Sequence, residues 1–135
     1  MRVPYTNRAP QLGDVGYTPL LPITLLYDTK VSQEVALLDT GASLNVLHYG
    51  VGLSSGLVWE NQTLPLQLTG NLNAVAAKAV LLNVVIGTYS ATRLAFAWAQ
   101  TDFVPLLLGQ MNFAEFDVCF FRDQQVFEVV PKALP

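Results

Sequence analysis

Charge is what this 135-residue chain has least of: Asp, Glu, Lys and Arg make up only 13% of it, against about a quarter in ordinary soluble domains. The net charge is −3 and no run of Lys or Arg occurs, so electrostatic capture of nucleic acid is excluded as a mode of binding. Cysteine occurs once, at Cys119. No intrachain disulfide can form, nothing points to an oxidising compartment, and the apolar surroundings of Cys119 predict a small buried residue rather than a reactive thiol. Histidine also occurs once, at His48, with no Cys or His cluster around it; no metal and no other cofactor is expected. Lys78, Asn83 and Arg93 interrupt the most hydrophobic region, and Pro4, Pro10 and Pro19 break up the first twenty residues. Neither a membrane-spanning run nor a signal layout results, so a soluble, cytoplasmic protein with no membrane partner is expected.

What is abundant is apolar surface, at 52% of residues. A single domain of this length has a real core, but so few charges cover it poorly. An apolar face closed by an oligomer or filled by a ligand is therefore predicted. Residues 1–19 are rich in Pro and Gly and read as an arm, either mobile or laid along a partner surface. From residue 20 the texture becomes that of strands. Residues 21–27 and 31–38 flank a turn at Asp28-Thr29-Lys30, and 45–47 form a short strand before a glycine-broken loop. Further strands are read at 62–68, 74–86, 91–99, 104–108, 116–121 and 126–130, with a short helix at 110–115. Gly70 and the asparagines beside it mark a hairpin tip at 69–73. Many short strands with almost no helical periodicity predict an all-β barrel or sandwich spanning 20–130, followed by a tail at 131–135.

One octet concentrates the chemistry. Residues 36–43 read Ala-Leu-Leu-Asp-Thr-Gly-Ala-Ser: an apolar strand ending in a tight polar turn at Asp39, Thr40 and Gly41. Asp and Gly are common in ordinary turns. This one, however, is flanked by Leu37-Leu38 and Val46-Leu47, and a second apolar pair ending in glycine, Leu107-Leu108-Gly109, lies near the other end of the domain. A carboxylate held at such a strand end is rigid and still faces a cleft. One carboxylate cannot serve as acid and base in a single hydrolytic step. The chain has no second Asp-Thr-Gly or Asp-Ser-Gly, so the partner carboxylate must come from a second copy.

Leu37 to Ser43, followed by Asn45-Val46-Leu47 and later by Leu107-Leu108-Gly109 and a short helix, resembles the retropepsin-like aspartic proteases, and is similar to their stand-alone bacterial versions, cyanobacterial ones included. The match runs in order over about residues 20–130. It implies a single-domain acid-protease barrel with one short C-terminal helix, completed by homodimerisation, that hydrolyses peptide or protein substrates. Asp39, Thr40 and Gly41 would then be catalytic, Asp39 pairing with its symmetry mate around one water and Thr40 bonding across the two-fold axis. Ala42 and Ser43 would contact substrate main chain. Thr69, Gly70, Asn71 and Leu72 would belong to a flap closing over the peptide. Leu107, Leu108 and Gly109 would support the site from beneath.

The chain departs from the family pattern in ways that carry expectations of their own. Gln110 stands where retroviral enzymes place a dimer-stabilising Arg, which shifts association toward apolar contacts. The hairpin 116–130 is longer than a single closing strand, and Val118, Phe120, Phe127 and Val129 are its natural intersubunit contacts. Ala42 lacks the hydroxyl that many relatives aim at the carboxylate, so activity is expected to extend to milder acidity. The competing reading is a catalytically idle retropepsin-like domain used for dimerisation or peptide binding.

Overall fold

The computed structural model describes residues 1–132, so most of the expected tail at 131–135 lies outside the described residues. Among the described residues twelve strands follow in order: β1 (Arg2–Pro4), β2 (Thr6–Asn7), β3 (Tyr17–Thr18), β4 (Leu20–Tyr27), β5 (Lys30–Leu38), β6 (Val46–Leu47), β7 (Pro65–Leu66), β8 (Ala77–Val85), β9 (Thr92–Ala99), β10 (Leu107–Leu108), β11 (Phe116–Phe121) and β12 (Val126–Pro131). Six of them run in the order β4-β5-β10-β6-β9-β8, and β8 pairs back onto β4, which closes a barrel. Closure leaves no free edge among those six. The short β7 hangs on β8 outside the ring, pairing Pro65 with Lys78 and Leu66 with Ala77. A second sheet, β1-β12-β11, brings the two ends of the chain together.

Alternation sets what faces inward. Leu21, Ile23 and Leu25 from β4, Leu82 and Val84 from β8, and Phe96 and Trp98 from β9 fill the barrel. The terminal sheet closes the same core with Phe116, Phe127 and Val129. Two of the expected intersubunit contacts are thereby consumed: Phe127 is 0% and Val129 1% exposed within the chain itself. Val118 is half-buried and packs against the same core, which leaves Phe120, at 37% exposure, as the most accessible of the four. Cys119 reverses the sequence expectation. It is exposed, because the alternation that turns Phe116 and Val118 toward the core turns residue 119 out, opposite Glu128.

The first residues lie against the rest of the same chain. Arg2, Val3 and Pro4 pair with Glu128, Phe127 and Val126, and the Arg2 guanidinium reaches Glu128 at 3.1 Å and Gln124 at 3.1 Å.

The single α-helix among the described residues, α1 (Tyr49–Ser54), falls in the segment read as a glycine-broken loop. Six residues are too few to form a helix on propensity; tertiary contacts hold this one. The Asp102 carboxylate accepts the Gly50 N–H at 2.7 Å, and the Tyr49 N–H donates to the Thr101 carbonyl. Gly52 lets the helix sit against Trp98, since a Cβ there would lie 2.1 Å from the indole nitrogen. Trp98 in turn stacks on Tyr49, donates to its carbonyl and meets Trp59 edge-on, so both tryptophans belong to the core and its margin. The helix expected at 110–115 is present as a 3-10 turn, Gln110–Ala114.

Candidate active site

Asp39 follows the last residue of β5, at the point where that strand runs parallel to β10. The register pairs Leu37 with Leu107 and Leu38 with Leu108. Hydrogen bonds extend this ladder beyond the strand: the Leu37 N–H donates to the Leu106 carbonyl at 2.8 Å and the Asp39 N–H to the Leu108 carbonyl at 3.0 Å. The backbone of Asp39 is therefore part of the sheet while its half-buried carboxylate leaves it. Oδ1 accepts the Gly41 N–H at 2.9 Å, and the Asp39 carbonyl accepts the Ala42 N–H at 3.2 Å. Such a turn presents the acid group in a fixed orientation.

The turn rests on the segment after β10. Gly109 is obligatory there: a Cβ would stand 2.4 Å from the Leu44 carbonyl oxygen and 2.6 Å from that of Ala42. The next residue completes the clasp. The Gln110 N–H donates to the Ala42 carbonyl at 2.8 Å, and its side-chain amide donates to the Thr40 carbonyl. The Gln110 amide thus holds the Asp39 loop within one chain.

In front of Asp39 lies a cleft with about 290 Å³ of free volume. Asp39, Gly41, Ala42, Ser43, Thr69, Leu72 and Leu107 line it, so the structure brings the Asp-Thr-Gly loop, the hairpin tip and the second motif to one place. Thr40, Gly70, Asn71, Leu108 and Gly109 do not line it. Thr40 is exposed beside it, and Leu108, 2% exposed, lies in the main core. Gly70, at φ 64, begins the 3-10 turn Gly70–Leu72 of the loop joining β7 to β8. Four lining residues are not among the expected site residues: Leu44, Val46, Gln67 and Leu68, of which the sequence singles out only Val46, as an apolar flank of the turn. Two of these, Val46 and Leu68, belong to a second apolar cluster behind the cleft, with Ala77, Ala97, Ala99 and Val104. Leu44 follows the octet directly and continues its apolar surroundings, the one signal that pointed to it. The Gln67 amide donates to the Asn73 carbonyl at 2.6 Å and to that of Leu68, and so braces the overhanging loop.

Asp39 is the sole ionisable side chain on this lining. Among the described residues no group of three or more His, Cys, Asp or Glu is placed to hold a metal ion. Also among them, no helix is long and apolar enough to cross a membrane.

No protein-family model matches the chain, and no curated protein matches it in sequence. Solved structures do match. A retropepsin-like aspartic protease from Rickettsia conorii superposes with a TM-score of 0.64 at 17% identity, over 96% of this chain and 90% of that one. The EIAV protease, in complex with the inhibitor HBY-793, gives 0.51 at 19% identity, over 72% of this chain and 86% of that one.

Proposed function

Starting from a chain that has the retropepsin-like fold, we propose that two copies of it form an aspartic endopeptidase, each supplying Asp39 to one shared site. The observation that carries this reading is the isolation of the carboxylate. Asp39 is rigidly presented at a strand end, opens onto a cleft large enough for side chains, and has no acid or base beside it on the lining. One such group is half a catalyst.

Two carboxylates about 3 Å apart do not both ionise, so they share one proton. The ionised member takes a proton from the water held between them. The oxygen of that water bonds to the scissile carbonyl carbon while the protonated member gives its proton to the carbonyl oxygen, forming a gem-diol. Collapse of the gem-diol breaks the C–N bond, and the amine leaves with a proton passed back through the pair. No covalent enzyme adduct arises. The apolar wall of Leu44, Val46, Leu68, Leu72 and Leu107 suits uncharged side chains on either side of the cut. An extended peptide would lie beneath the loop joining β7 to β8, its main chain added as a strand.

The test pairs two measurements on the intact chain: solution mass, and cleavage of a mixed peptide library between about pH 4 and 7. A dimer that cuts next to apolar residues is the expected result. A dimer that binds peptides and never cuts them would replace the enzyme with a binding domain, and a strict monomer would remove both.

A further inference from the structure

Asn45 and Asn112 sit behind the reacting surface, at 0% and 4% exposure, in surroundings that are otherwise apolar. Burying two amides is unfavourable unless their hydrogen bonds are made. Here they are. The Asn45 Oδ1 accepts the Gly109 N–H at 2.9 Å and an N–H of the Asn112 amide. Its Nδ2 donates to the Ala95 carbonyl at 2.9 Å and to the Asn112 Oδ1 at 3.1 Å. That fills the whole capacity of the Asn45 amide. Asn112 spends its second N–H on the Gly109 carbonyl at 3.0 Å.

These bonds converge on one residue. Both backbone groups of Gly109 are held by the two side chains. Gly109 is also the residue on which the Ala42 and Leu44 carbonyls rest, and it follows Leu108, whose carbonyl holds the Asp39 N–H. The tie to Ala95 anchors the group to β9 as well. We infer that the Asn45–Asn112 amide pair is a positioning lock: it fixes the end of β10 against β6 and β9, and through Gly109 sets where the Asp39 carboxylate stands. This rests on the reading of Asp39 as the catalytic group. Neither asparagine touches the cleft, so the pair acts on the rate and not on substrate binding.

The experiment compares Asn112→Leu and the double variant Asn45→Leu/Asn112→Leu with the wild-type chain, by kcat and KM, melting temperature and residue-resolved amide hydrogen exchange. A carboxylate displaced by a fraction of an ångström should lower kcat at least about tenfold and leave KM within about twofold. The double variant, which also strips the Gly109 N–H and the Ala95 carbonyl of the Asn45 amide, should melt no higher than the single one and should not regain kcat. In both, exchange at Asp39 and Gly109 should accelerate at least about tenfold while the β4 and β8 amides hold. A kcat at the wild-type level, or exchange that rises evenly across the barrel, overturns the lock. Should Asn112→Leu not fold, Asn112→Ser carries the same readouts. If the wild-type chain cleaves nothing, the protease reading falls, and the exchange pattern still decides whether the pair holds the loop.

Discussion

Replacing Gly109 with alanine places one methyl group where the structure has no room for it. The new Cβ would stand 2.4 Å from the Leu44 carbonyl oxygen, 2.6 Å from that of Ala42 and 2.9 Å from the Leu44 carbonyl carbon. All three are backbone atoms, so no side chain can swing aside to relieve the contact. Separation to ordinary van der Waals distance requires the 42–44 loop to retreat by about 1 Å, against the Gln110 N–H that holds the Ala42 carbonyl at 2.8 Å. Overpacking of this kind costs about 1–3 kcal/mol. For a chain of this size the melting temperature should fall by roughly 4–12 °C. The loss of cleavage should be larger than stability alone explains, because a shift of about 1 Å at a catalytic group costs about a hundredfold. Gly41→Ala is the graded comparison: its Cβ would meet one atom, Asp39 Oδ1, at 3.3 Å, a far milder contact. Thermal unfolding and peptide cleavage read both effects. A Gly109→Ala chain that melts and cleaves like the wild type would mean that the close approach of β10 to the Asp39 loop is not the contact that shapes the site.

Other perturbations reach other parts of the molecule. Ala42→Ser adds a hydroxyl donor beside Asp39, which favours the ionised carboxylate; the acid limb of the pH–rate profile should move to lower pH, and an unmoved limb counts against the dyad. Phe127→Ala empties a position that is 0% exposed at the junction of barrel and terminal sheet. It should cost about 3–5 kcal/mol in urea unfolding, and a value under about 1 kcal/mol would show that the sheet does not close the core. Arg2→Ala removes an ion pair whose side chains remain 55% and 32% exposed. Screening should hold its effect below about 1 kcal/mol, and a larger loss would show that β1 is clamped mainly by its charge.

The strands were legible where both alternation and turn chemistry spoke. Residues 116–121 match β11, and 126–130 match β12 to within a residue; β4, β5 and β9 also fall within a residue of expectation at each end. Weaker signals gave overlong strands. The apolar runs 62–68 and 104–108 shrink to Pro65–Leu66 and Leu107–Leu108, because the apolar residues beyond the ladder serve other ends: Leu68 lines the cleft, while Val104 and Leu106 fill the core without pairing as strands. Helix α1 was illegible for a physical reason: its stability comes from Asp102 and Trp98, about fifty residues away, and its glycines argue locally for a loop. In β5 the apolar Val31 and Val35 point outward at 64% and 53% exposure, while burial on both faces begins only near Ala36. At the site, the octet announced Asp39 through its apolar flanks. Asn45 was legible only as the start of a strand in the motif and Asn112 only as part of a short helix; that their amides pair was not, since nothing local shows that three strand ends meet around them.

Mixing wild-type chain with Asp39→Asn chain, with total protein constant and time for subunits to exchange, tests the two-copy site most directly. Random pairing leaves about a quarter of the dimers with both carboxylates at equal mixing, so the cleavage rate should fall to about a quarter, following the square of the wild-type fraction. A rate that falls only to about a half, in proportion to that fraction, would show that one Asp39 suffices and that the shared site does not exist.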